Sequence, residues 1–104
     1  MKIIWTRTAK KDLIEIIDYI ANTSSETAFE KFNEIKESVV KSESFPEKGR
    51  MIPELKKQNI DKYRELIVSP WRIMYKIEAS NIYILAVIDG RRNIEDVLLK
   101  RQIR

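Results

Sequence analysis

Residues 63–88 constrain the fold of this chain more than any other stretch. They read as three consecutive β-strands, because strand-forming residues alternate with others and turn residues punctuate the run. In the middle strand, Trp71, Ile73, Tyr75 and Ile77 share one face, and Arg72, Met74 and Lys76 share the other. Ser69-Pro70 separates the first strand from the second, since proline has no N–H to give to a ladder. Ala79-Ser80-Asn81 turns the second strand into the third. Connections this short make the strands antiparallel neighbours. A meander of this kind needs helices on one face. On the other, Arg72 and its neighbours are expected to lie open to a ligand.

The rest of the chain supplies those helices. Lys2–Thr6 reads as a short first strand, and Thr8 is expected to cap a helix running from Ala9 to about Ala21. Leu13, Ile16, Ile17 and Ile20 form one apolar stripe on it. Asp12, Glu15 and Asp18 read as a solvated face. Asn22-Thr23-Ser24 ends this helix, and Thr23 with Glu26 fits a capping box for a second. That helix carries Ala28, Phe32, Ile35 and Val39 as its stripe and closes at Phe45-Pro46. The short link makes the pair an antiparallel hairpin. Residues 46–62 read as an irregular connection, long enough to suggest a functional loop. Ile94–Arg104 reads as a terminal helix with acids early and bases late, the order that suits the helix dipole. Its apolar residues need a docking surface, in this chain or on a partner.

The expected class is therefore α+β with order β-α-α-β-β-β(-α), a helical hairpin packed on a small, mostly antiparallel sheet, in one domain spanning residues 1–104. A hydrophobic content of 43% fits a folded chain. Cysteine and histidine are both missing, which removes disulfides, thiolate chemistry, the commonest metal ligand and the usual neutral-pH proton carrier. No metal or cofactor is expected. The N-terminus turns polar too early for a signal peptide, and no apolar run reaches the ~20 residues of a membrane span, so a cytoplasmic protein is expected.

The net charge of +4 is unevenly placed. Residues 1–45 carry seven Lys/Arg against eight Asp/Glu, and residues 46–104 carry thirteen against eight. The half with the meander is thus the basic half, which suits a polyanion or an acidic protein partner. The constellation to test is Arg64, Arg72, Arg91 and Arg92, as catalytic or phosphate-binding candidates, with Lys56, Lys57 and Lys62 as accessory RNA-binding candidates. Arg64 and Arg72 come from adjacent strands and are expected to converge. Trp71, Tyr63, Tyr75 and Tyr83 lie among them as stacking platforms or, for Trp71 and Tyr75, as core residues.

Three stretches carry a resemblance: Trp5 with Ala9–Ala21; Tyr63-Arg64-Glu65-Leu66 followed by Trp71-Arg72-Ile73-Met74-Tyr75; and Ile84-Leu85-Ala86-Val87-Ile88-Asp89-Gly90-Arg91-Arg92. In their order and spacing the chain resembles the RelE/ParE superfamily of type II toxin–antitoxin toxins, sometimes called plasmid stabilisation proteins. The resemblance implies a growth-arresting toxin neutralised by a cognate antitoxin. RelE-like members are metal-independent endoribonucleases that cut mRNA on the ribosome, whereas ParE-like members inhibit DNA gyrase. By motif, Arg72 looks like the middle-strand arginine of RelE-like toxins, and Arg92 looks like the arginine after the last strand. Arg64 falls near a basic position on the preceding strand. Leu98 stands about where RelE has a catalytic tyrosine, and Asp89 stands near a histidine of many relatives. These departures, with the long helical hairpin, favour the ParE-like reading. The alternatives are an mRNA endonuclease, in which Arg72→Ala abolishes toxicity and spares the fold, and an inactive homologue.

Overall fold

The computed structural model describes residues 1–103. The elements are β1 (Lys2–Trp5), α1 (Arg7–Ala21), α2 (Ser25–Ser42), β2 (Arg50–Met51), α3 (Pro53–Lys56), β3 (Tyr63–Val68), β4 (Trp71–Glu78), β5 (Asn81–Asp89) and α4 (Ile94–Lys100). The expected α+β class and element order hold, and β2 and α3 are additions inside what reads as an irregular connection. The five strands form one sheet in the order β1-β5-β4-β3-β2, with β1 parallel to β5 and the other pairs antiparallel. Among the described residues no helix is long and apolar enough to cross a membrane.

Local chemistry sets each helix start. Thr6, not Thr8, caps α1: its Oγ1 accepts from the Ala9 N–H and donates to the Ile84 carbonyl at 2.7 Å. One hydroxyl thus starts the helix and ties it to β5, which explains the choice between two threonines two residues apart. Ser24 rather than Thr23 caps α2, accepting from the Thr27 N–H at 3.1 Å. α2 stops at Ser42, before Phe45-Pro46. Asn93 caps α4 through a bond from the Asp96 N–H. The β4–β5 turn places Ala79 and Ser80 at φ of 50° and 65°, the left-handed pair that a two-residue hairpin of right-twisted strands requires.

Two apolar layers sandwich the sheet. Under the α1–α2 hairpin lie Leu13, Ile35, Val39, Ile73, Tyr75, Ile82, Ile84 and Val87. Phe32 of the expected α2 stripe is the exception. It stays 37% exposed, with the Lys36 ammonium 5.9 Å from its ring centre. On the opposite face, α3 and α4 cover Met74, Ala86 and Ile88 with Ile52, Leu55, Ile94, Val97 and Leu98. The terminal helix therefore docks within this chain, although Leu99 remains exposed. A bulge explains the phase of β5. Met74 pairs with Ala86 but Tyr75 pairs with Ile84, so Leu85 is an extra residue and Val87, not Ala86, follows Ile84 into the hairpin-side core.

Candidate functional site

The meander face expected to lie open is closed. Arg72 is buried. Its Nε donates to Glu65 at 2.7 Å, and its Nη1 and Nη2 donate to the two oxygens of Glu54 at 2.8 and 2.6 Å. Glu65, whose side chain is fully covered, also accepts from Arg50 Nε at 2.6 Å. Two cations and two carboxylates thus form a closed, internally neutral cluster joining β2, α3, β3 and β4. Hydrogen bonding from Arg72 holds the Glu54 carboxyl below its usual range, and Glu54 in turn raises Arg72. A guanidinium committed to two carboxylates has little left to offer a phosphate.

Strand alternation then separates the arginines. Arg64 pairs with Tyr75 and Ile67 pairs with Arg72 across β3–β4, so Arg64 and Arg72 project from opposite faces and do not converge. Arg64 instead donates to the carbonyls of Gly49 (2.8 Å) and Glu47 (3.2 Å). Beside it, the Tyr75 hydroxyl donates to Pro46 O at 2.7 Å and accepts from Gly49 N–H at 3.1 Å. Burial raises the Tyr75 pKa. Together the two side chains hold residues 46–49 against the hairpin-side core. Tyr75 is a core residue here, as is Trp71.

The remaining candidates lie in two places. Lys56, Lys57 and Lys62 are exposed around α3 and the start of β3, with the Lys62 ammonium 5.2 Å from the Tyr63 ring centre. Arg91 and Arg92 follow β5 and rim a groove of about 660 Å³ between α1 and the sheet end, floored by Ile16, Ile20, Trp71 and Val87. Arg91 chelates Asp89 at 2.6 Å, and these bonds pull the Asp89 pKa down to about 2. Arg92 is exposed and has no ion-pair partner among the described residues.

Asp12 is a further correction. It is buried, not solvated: it accepts from the Val87 N–H at 3.0 Å and from both terminal nitrogens of Arg101, at 2.6 and 2.9 Å. Beyond Trp5, β1 no longer covers β5, and α1 takes over the open edge through Thr6 and Asp12. Glu54 and Glu65 are thus polar residues that sequence reasoning passed over, and Asp12 is one that it placed on a solvated face. One signal was available: Glu65 sits between Tyr63 and Ile67 on a strand face, where a carboxylate needs a cation.

A pH prediction follows from Glu54. Its pKa is depressed in the folded chain, so its stabilisation is complete above its ordinary value of 4.5 and fades as pH falls through the lower folded value. Thermal melts between pH 7 and pH 3 should show wild type falling more steeply than Glu54→Gln below about pH 4.5. Equal slopes would mean that Glu54 is not tied to Arg72 in solution.

A helical hairpin on a five-stranded, mostly antiparallel sheet is the architecture that the resemblance to RelE/ParE superfamily toxins implies. Comparison with known proteins narrows the class. The chain matches the family model for the ParE toxin of the type II toxin–antitoxin system parDE over residues 3–94. It is 28% identical over 101 residues to Toxin ParE3 of Caulobacter vibrioides, covering 96% of this chain and 97% of that one. A solved structure of the chromosomal ParDE TA system from P. aeruginosa superposes with a TM-score of 0.69 at 25% identity, covering 86% of this chain and 95% of that chain. The chain belongs to the ParE toxin family, and is the toxin component of a type II toxin–antitoxin module.

Proposed function

We propose that the chain arrests growth in the cytoplasm by inhibiting DNA gyrase, and that a cognate antitoxin masks it until the module is activated. Family membership sets the starting point. The observation that carries the choice of target is the closed Arg72 cluster: the arginine a RelE-like toxin would present to RNA is spent on Glu54 and Glu65. Leu98, about where the RelE tyrosine would stand, is buried against the sheet. Of the candidate residues, we assign target contact to Arg91 and Arg92, the exposed pair beside the apolar groove. Arg64 and Arg72 act as structural residues in this reading, and Lys56, Lys57 and Lys62 contribute to the positive field around α3.

The test is a supercoiling assay with purified gyrase and relaxed plasmid, run beside a ribosome-loaded mRNA. Loss of supercoiling with intact mRNA is the expected result. Unimpaired gyrase with mRNA cut at ribosome-occupied sites would replace this proposal with the nuclease reading. Failure of both, from folded protein, would leave an inactive homologue. Within the expected outcome, Arg91→Glu with Arg92→Glu should weaken inhibition by about tenfold or more, because charge reversal at an interface rim slows association. The melting temperature should shift by less than about 3 °C, since surface substitutions are usually within ±0.5 kcal/mol. An unchanged inhibition constant would remove these two residues from the contact surface.

A further inference from the structure

The groove between α1 and the sheet end has an apolar floor that the described residues leave open. Trp71 and Val87 are buried beneath it, and Ile16 and Ile20 stay half-buried along its helix wall. Its volume of about 660 Å³ lies within the roughly 300–1,000 Å³ of preformed ligand sites. That is room for more than one side chain. Tyr19 also lines it, 79% exposed and outside the hairpin-side core. Tryptophan, tyrosine and arginine are the residue types that most often anchor protein–protein contacts. This groove gathers Tyr19, Trp71, Arg91 and Arg92.

The charges around the groove say what kind of segment fits. Arg91 holds Asp89, Arg101 holds Asp12, and Lys31 is paired with Glu34. Two lining charges have no ion-pair partner among the described residues: Glu15 on α1 and Arg92 after β5. Both are exposed. They have opposite signs, one on the helix wall and one on the sheet-end wall. The uncommitted rim is therefore dipolar rather than uniformly basic.

We propose that this groove grips a segment of gyrase whose bulky apolar side chains cover the floor, with a carboxylate beside Arg92 and a cation beside Glu15. The proposal rests on the gyrase reading above and deepens it by naming what the target must present. Burial of the floor supplies affinity, and the two rim charges fix the direction in which the segment lies. A uniformly acidic segment does not fit, because it brings a carboxylate against Glu15.

The experiment fills the groove from within. Thr27 lines it from the first turn of α2 and is exposed, and the helix cap uses only its backbone N–H. In the supercoiling assay, Thr27→Trp should raise the inhibition constant by about tenfold or more. The melting temperature should move by less than about 3 °C. A charge swap is the second variant, and it decides alone if the tryptophan prevents folding. Glu15→Arg with Arg92→Glu leaves the net charge of the chain unchanged. It should still weaken inhibition by about tenfold or more, as each single reversal does. Wild-type inhibition by the swapped chain would show that overall charge alone matters, and would overturn the rim contacts. Full inhibition by folded Thr27→Trp would overturn the groove and leave the gyrase reading standing. If that variant also fails to bind the antitoxin encoded in the same module, the groove belongs to the antitoxin instead. No inhibition by the wild-type chain would overturn both readings.

Discussion

Replacing Arg72 by alanine should destabilise this protein by about 3 kcal/mol, the low end of what removing one partner of a buried ion pair costs. The physical reason is Glu65. Its side chain has no solvent contact, and among the described residues Arg72 gives it two of its three hydrogen bonds. With Arg72 gone, a buried carboxylate is left with Arg50 alone, whose side chain is 57% exposed. Arg50 is why the expected cost sits at the low end. In a chain of this size the change should lower the melting temperature by more than about 10 °C. Lysine at position 72 should not rescue it, because one ammonium cannot reproduce a fork held by two carboxylates. Removing both charges together, as Arg72→Met with Glu65→Leu, should cost less than Arg72→Ala alone, since no fully buried carboxylate is then stranded and Glu54, whose side chain is 22% exposed, can be solvated. This reverses the expectation for a sheet-surface arginine, where alanine abolishes activity and spares the fold. A normal melting temperature with lost toxicity would show that Arg72 meets the target after all.

The sequence made the meander and the hairpin legible because each announces itself over many residues. Alternation marks β4 from Trp71 to Ile77, and helical spacing marks α1 from Leu13 to Ile20. Both signals report which residues are buried, and burial of those faces is what forms the element. β2 and α3 escaped because two and four residues are too few to show a period. Their absence from the reading then distorted the site. Without α3 the far face of the meander reads as bare, whereas Ile52 and Leu55 cover Met74 there. Glu54, seated on that helix, is 18 residues from the arginine it neutralises. Opposite charges on adjacent strands were visible in Glu65 and Arg72, but charge alone does not say which face each residue takes. The register does: Glu65 opposes Met74, and Ile67 opposes Arg72, so both charges share one face, while Arg64 is sent to the other. Family resemblance pointed to the superfamily correctly, and physical accounting of burial shows why one arginine in its motif serves the core of this chain.

Asp12 should prove nearly as costly to remove as Arg72, and for a different reason. Asp12→Ala strands a backbone donor: the Val87 N–H lies on the edge of β5 beyond the end of β1, and the carboxylate is its acceptor. An orphaned buried N–H costs about 1–3 kcal/mol, and the lost two-pronged bond from Arg101 adds to it. The expected total is about 2–4 kcal/mol, discounted for an Arg101 side chain that is 26% exposed. Asp12→Asn separates the contributions. Its amide oxygen can still accept from Val87, while the charge that holds Arg101 is gone, so it should recover about half of the loss. Arg101 follows directly on α4, whose buried residues are Ile94, Val97 and Leu98. Asparagine should therefore leave the sheet amides protected and let those of residues 98–101 exchange faster, which hydrogen exchange can read residue by residue. Uniform loss of protection across α1, β5 and α4 would instead mean that Asp12 serves the whole hairpin-side core, with no separate hold on the C-terminal helix. That second outcome would bear on the target surface too, because Arg101 lines the same groove as Arg91 and Arg92. A terminal helix that loosens by itself can reshape the groove while the fold stands; one that loosens only with the core cannot.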